Sequence, residues 1–171
     1  MQECFILLND DEYNKAWDMV KERLHFSPSI KNGVNPFIIQ DPFVLYDISK
    51  VSDKDIDNFD EVISGVFSSC IGDDEYIYAL DWQHSGFRYN PRVRIEKHSL
   101  FVNDERYFGG GYNAFFPGFF PDGDYYFFIS KNCEWGYLGH PWQLKVWVFG
   151  KKLIKEFEKV HKKIGFIKSS V

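Results

Sequence analysis

The chain has 171 residues, 44% hydrophobic, 26% charged and 19% aromatic, with 18 Phe, 10 Tyr and 5 Trp. That density of rings excludes a disordered chain, and the repeats of a coiled coil or collagen are missing. Lys plus Arg is 20 against 25 Asp plus Glu, a net charge of −5; this argues against nucleic acid as the partner, because neutralising phosphates takes a basic surplus.

In chain order, residues 4–8 form an apolar run of five with no basic flank, too short for a signal core or a spanning helix. No longer apolar stretch follows, so no membrane association is expected. Residues 10–24 carry Tyr13, Ala16, Trp17, Val20 and Leu24 at helical spacing, behind the acidic start Asp10-Asp11-Glu12. Residues 27–41 are punctuated by Pro28, Gly33 and Pro36 and read as a loop, followed by a strand over 43–48. A second helix is predicted over 53–71, opened by a Ser52/Asp55 capping box, with Ile56, Phe59, Ile63, Val66, Phe67 and Cys70 on its apolar face.

From residue 76 the period changes to two. Strands are expected over 76–82, from 87 to 89, over 124–130, 134–138 and 144–149, with turns at His84-Ser85-Gly86 and Asp122-Gly123. A third helix, 151–164, has Leu153, Ile154, Phe157, Val160 and Ile164 inside and its lysines on a solvated face. The pattern predicts an α+β single domain, 1–171: a helical part to about 72, a strand-rich part over 73–150 and a final helix. Strands in succession imply one antiparallel sheet of about five or six strands, with the three helices packed mainly on one face. Residues 105–121, with the run Gly109-Gly110-Gly111, fit neither period; they read either as an aromatic loop closing one end of the sheet or as a binding surface hinged at Gly109–Gly111.

Cys4, Cys70 and Cys133 are odd in number and form no C-x-x-C pair, the usage of reduced thiols in the cytoplasm. Cys133 lies in a polar turn without the electropositive setting that a thiolate needs. There is no G-x-S-x-G, no phosphate loop after Gly109–Gly111 and no H-E-x-x-H, so no catalytic residue, cofactor or metal is assigned. Two junctions stand out: Asp81-Trp82-Gln83-His84 after one strand, and His140-Pro141-Trp142-Gln143 before another. If the two ends coincide, His84 and His140 converge with Asp81, Asp124 and Arg88 nearby, a set suited to acid–base chemistry. Otherwise each His fixes a turn by bonding a loop carbonyl. His25, His98 and His161 look like surface residues.

The second half of the chain resembles a small bacterial family known as domain of unknown function 2716. The resemblance rests on Ala79-Leu80-Asp81-Trp82-Gln83-His84, Phe87-Arg88-Tyr89-Asn90-Pro91, Phe120-Pro121-Asp122-Gly123-Asp124-Tyr125-Tyr126 and Trp135-Gly136-Tyr137-Leu138-Gly139-His140-Pro141-Trp142, all within 76–157. It implies a bacterial protein and no particular activity. In size and acidity the chain is also similar to immunity proteins, which neutralise secreted toxins. The expectation is a cytoplasmic protein-binding module of that type, steering a basic toxin domain by its charge. Its binding residues would be Tyr107, Tyr112, Phe115, Phe116, Phe119, Trp82 and Trp142, with acidic Asp73, Asp74 and Glu75, since aromatic rings dominate interface energetics. The alternative is a small-ligand binder or enzyme at His84 and His140.

Overall fold

A computed structural model of the chain describes residues 3–73, 75–95, 101–104 and 112–170. The strands in chain order are β1 (Phe5–Leu7), β2 (Phe43–Asp47), β3 (Ile77–Asp81), β4 (Gly86–Tyr89), β5 (Phe101–Asp104), β6 (Tyr112–Phe115), β7 (Tyr126–Ser130), β8 (Gly136–His140), β9 (Lys145–Phe149) and β10 (Ile167–Ser169). β5 and β6 pair only with each other; the rest form one sheet in the order β1-β4-β3-β7-β8-β9-β2-β10, antiparallel at every pairing. The α+β class and the antiparallel sheet agree with the sequence pattern, but among the described residues the sheet has eight strands, not five or six. The two extra strands are its edges, β1 and β10, of three residues each. A period of two cannot be read from three residues.

Among the described residues, four α-helices accompany the strands: α1 (Asp10–Leu24), α2 (Asp53–Ile56), α3 (Phe59–Cys70) and α4 (Lys151–Glu158). Asn9 caps α1, its side chain accepting from the Glu12 N–H at 2.9 Å, and Ser52 and Asp55 form the expected capping box on α2. The predicted helix over 53–71 is broken at Asp57-Asn58. There the Asn58 amide donates to the Lys54 carbonyl at 3.0 Å, closing α2 with a side chain in place of the next helical N–H. The third helix gives way to a 3-10 turn, His161–Ile164, ended by Gly165.

The helices lie on both faces of the sheet, not mainly on one. Ala79, Phe128, Tyr137, Val146 and Val148 pack with Phe59, Ile63 and Phe67 of α3 and with Leu153 and Phe157 of α4. Leu80, Phe127, Leu138 and Trp147 belong to a second cluster, with Ala16, Trp17, Val20 and Leu24 of α1 and Phe37 from the connection to β2. The cause is visible in the strands themselves. Phe127-Phe128-Ile129 and Val146-Trp147-Val148-Phe149 are continuous apolar runs, and such runs belong to strands buried on both sides.

The segment after β6 closes the α3 side. Phe116 stacks on Phe5 at 4.7 Å, and Phe119 lies 4.8 Å from Phe128 and 5.9 Å from Phe67. The Tyr137 hydroxyl donates to the Phe119 carbonyl, which fastens this segment to β8. Each fully buried ring of this kind contributes about 1.5–3 kcal/mol relative to an exposed one.

The turn from β9 into α4 depends on Gly150. Its φ is +88°, and a Cβ there would sit 2.5 Å from both the Glu134 carbonyl oxygen and the Trp135 Cβ. Gly150→Ala combines left-handed backbone strain with a clash against backbone, and should destabilise the protein by about 2–4 kcal/mol. Urea denaturation of the two proteins measures this; a midpoint equal to that of the wild type would show that the turn is not constrained.

Candidate functional site

The expected site residues gather at two ends of the sheet. At one end, β3 finishes at Asp81, β7 begins at Tyr126, and these two pair directly. The ladder runs one step further, with the Trp82 N–H donating to the Tyr125 carbonyl at 3.1 Å. Residues 82–85 then turn tightly. Gln83 takes the left-handed region at φ +65°, and the His84 N–H donates back to the Asp81 carbonyl at 3.1 Å. A non-glycine residue in that region is held there by its surroundings. The result aims the His84 imidazole back over the strand end.

His84 Nδ1 lies 3.1 Å from Asp81 Oδ1 and 3.4 Å from Asp124 Oδ2. The other Asp124 oxygen, Oδ1, accepts from the Tyr125 N–H at 2.8 Å, which fixes the carboxylate with Oδ2 toward the imidazole. The two carboxylates are 12% and 15% exposed and the imidazole 44%. Burial pushes the Asp81 carboxyl up to about 7, with the charges of Asp124 and Asp122 adding and that of His84 opposing. Burial also raises Asp124. Among the described residues, neither carboxylate pairs with a Lys or Arg.

His140 is at the same end of the sheet but in a different environment. It is fully buried among Tyr125, Trp142 and Trp147, at ring distances of 4.7, 5.9 and 6.0 Å. Its Nδ1 accepts from the Gln143 N–H at 3.3 Å, which leaves the proton on Nε2, 3.2 Å from the Tyr125 hydroxyl. That hydroxyl donates to the Ser29 carbonyl at 2.9 Å and accepts from the Ser29 N–H at 3.1 Å. Every polar atom of this group is satisfied, so His140 pins the 27–41 segment to the sheet and does not join His84. Tyr125 is the hub, and the sequence reading missed it. Its position beside Asp124, after an Asp-Gly turn, was the available signal.

Arg88 is elsewhere too. It pairs with Glu12 of α1 and lies over the Tyr76 ring at 5.1 Å, beside a cavity of about 220 Å³ that Asp73 and Glu75 also line. A larger cavity, of about 790 Å³, opens beyond Glu75 and Tyr76 at this opposite end of the sheet, between Lys131, Glu134 and Lys152. Cys70 lines it, and burial pushes that thiol up to about 11, so it is not a thiolate at neutral pH. Cys133 is fully buried, its thiol raised to about 12, and His161 is buried too, with Nδ1 3.1 Å from the Phe166 carbonyl. His25 is the exposed C-cap of α1.

Of the expected aromatic contact residues, Phe116 and Phe119 are core, and Trp82 is half-buried against Phe26 and Tyr125. Phe115 and Trp142 are exposed, at 59% and 46%. Tyr112 falls on β6, and Asp73 and Glu75 are exposed. Tyr107, Asp74, His98 and the Gly109–Gly111 stretch lie outside the described residues.

The model of the family described as "Protein of unknown function (DUF2716)" matches residues 7–154. The chain belongs to this family. The match reaches well upstream of residue 76, so it takes in α1 and β2 as well as the strand-rich half. The chain is also similar to "Uncharacterized protein YxiI" of Bacillus subtilis (strain 168), 28% identical over 162 residues, covering 88% of this chain and 90% of that one. No solved structure matches it. Among the described residues, no helix is long and apolar enough to cross a membrane.

His140 provides a pH test of this end of the sheet. Burial, helped by Lys145, lowers it from 6.5 to about 4. Unfolding lets it bind a proton near 6.5, so its contribution is complete above that pH and is lost as pH falls toward 4. His140→Gln should therefore destabilise the protein at pH 7, with that deficit shrinking by about 2 kcal/mol at pH 4.5. Denaturant titrations of both proteins at the two pH values measure it, and a pH-independent deficit would rule out a neutral buried imidazole.

Proposed function

We propose that this family member is a cytoplasmic protein-binding module of the immunity type, which takes a basic protein domain at the Tyr125 end of its sheet. The observation that carries this reading is Trp142. Its ring is 46% exposed, yet its base is fixed against Tyr125 at 5.4 Å and His140 at 5.9 Å. A rigid, exposed indole loses little freedom on binding and suits an interface anchor. Ile30 and Val34, 76% and 39% exposed, accompany it on the segment that Ser29 and the Val34 carbonyl tie to the sheet, the latter accepting from Gln143 Nε2 at 3.0 Å. Asp122 and Asp124, in the turn that leads into Tyr125, add carboxylates to this end of the sheet, and such charge favours a cationic partner.

The test is co-expression with the product of a neighbouring toxin-like gene. Wild-type protein should rescue growth and bind that product at micromolar concentration or tighter. Trp142→Ala should weaken binding by about 30-fold while the protein stays folded and shows a cooperative thermal transition, as befits an anchor residue. Absence of both rescue and complex would overturn the proposal.

A second reading, a small-ligand or catalytic site, is supported by the His84 cluster alone. It loses His140, whose bonding partners are already in place, and Arg88, which pairs with Glu12 elsewhere, and keeps Asp81, His84 and Asp124.

A further inference from the structure

We infer that Asp81, His84 and Asp124 form a binding site for a divalent ion of the zinc or manganese kind. The inference is independent of the protein-binding role. One ligand atom from each of Asp81, His84 and Asp124 lies within 4.8 Å of the other two. Ions of this class hold N and O ligands at about 2.0–2.2 Å, which puts neighbouring ligand atoms about 3.0–3.5 Å apart. Two of the three edges, at 3.1 and 3.4 Å, already have that spacing. Rotation of a carboxylate closes the third.

Charge points the same way. Two largely buried carboxylates share one imidazole, with Asp122 contributing a third negative charge nearby. His84 Nδ1 carries at most one proton, and so it can satisfy only one of them. Among the described residues no Lys or Arg neutralises either. A dication bound between the three atoms removes that repulsion, and it accepts both carboxylates and the imidazole lone pair together.

The donor set restricts the ion. One imidazole and two carboxylates suit zinc, manganese or ferrous iron, whereas calcium and magnesium prefer oxygen alone and thiolate-seeking ions find no sulfur here. Zinc should bind more tightly than manganese, following the general order of divalent affinities. With three protein ligands and the imidazole 44% exposed, the ion would keep a position open to solvent, as catalytic sites do and closed structural sites do not. The strained Gln83 has a role in this arrangement, since its left-handed backbone is what returns His84 to the carboxylates.

Calorimetry on chelator-stripped, full-length protein at pH 7.5 tests the inference, with zinc chloride and manganese chloride as separate probes. One zinc per chain is expected, with manganese weaker and calcium negligible. His84→Ala and Asp124→Asn should each reduce zinc affinity at least about tenfold, while His25→Ala, on the exposed end of α1, should leave it unchanged. A readout on the wild type alone guards against variants that misfold. Manganese should broaden the indole NMR signals of Trp82 and Trp142 before that of Trp135 at the other end of the sheet. Absence of one-to-one binding, broadening that begins at Trp135, or zinc affinity untouched in both ligand variants would overturn it. A hydrogen-bonded histidine and nothing more would be the conclusion.

Discussion

Two neighbouring side chains of β7, Phe127 and Phe128, are both fully buried, one on each face of the sheet. That constraint governs the rest of the molecule. A strand that must hide both faces needs cover above and below, so α1 cannot lie beside α3 and α4. It takes the opposite face, and Phe26, just after α1, and Phe37 of the 27–41 segment complete its layer, their rings 5.0 and 5.7 Å from Phe127. On the other face Phe67 stacks on Phe128 at 5.6 Å and on Trp135 at 5.7 Å. The aromatic abundance of the chain is mostly the material of these two layers. Truncating one such ring typically costs about 3–5 kcal/mol, so little of that material is dispensable.

The same constraint shapes the candidate site. The strand ends beyond the cover of the helices are where polar side chains find room, and β3, β7 and β8 end together there. The two faces then differ in character. On the α1 side, Tyr125 and His140 close a network with no spare donor or acceptor, which fixes the loop beneath Trp142. On the α3 side, Asp81 and Asp124 meet His84 with negative charge to spare. One junction is rigid and neutral, the other strained and acidic, and their separation by the sheet explains why the two histidines carry different chemistry.

Much of this was legible in the residues. The six longer strands of the sheet, the capping box at Ser52 and the faces of the helices follow from period and propensity, which act locally. The edge strands were not legible, because Phe5–Leu7 and Ile167–Ser169 become strands only by finding β4 and β2. The burial of Phe116 and Phe119 was also hidden. Rings in an irregular segment look the same to a local pattern whether they cover a core or face solvent. Asp81, His84 and Asp124 could be named together as strand-end residues, but what brings Asp124 to the other two, and leaves Arg88 and His140 out, is the register of β3 on β7, which is a tertiary fact. The fate of His140 depended on Ser29, a residue with no local signal at all.

The position of β2 has a consequence during synthesis. Its ladder partners are β9 on one side and β10 on the other, with Phe43 opposite Phe149 and Asp47 opposite Ile167. A ribosome adding about 5–20 residues per second leaves Phe-Val-Leu-Tyr of β2 without a partner strand for roughly 5–20 s, until β9 has emerged. The strands from β3 to β4 and from β7 through β9 close on near neighbours and suffer no such delay. The chain therefore carries an apolar strand that is the first of its central set to be made and the last to be paired, and its folding yield should depend on how well that interval is shielded from aggregation.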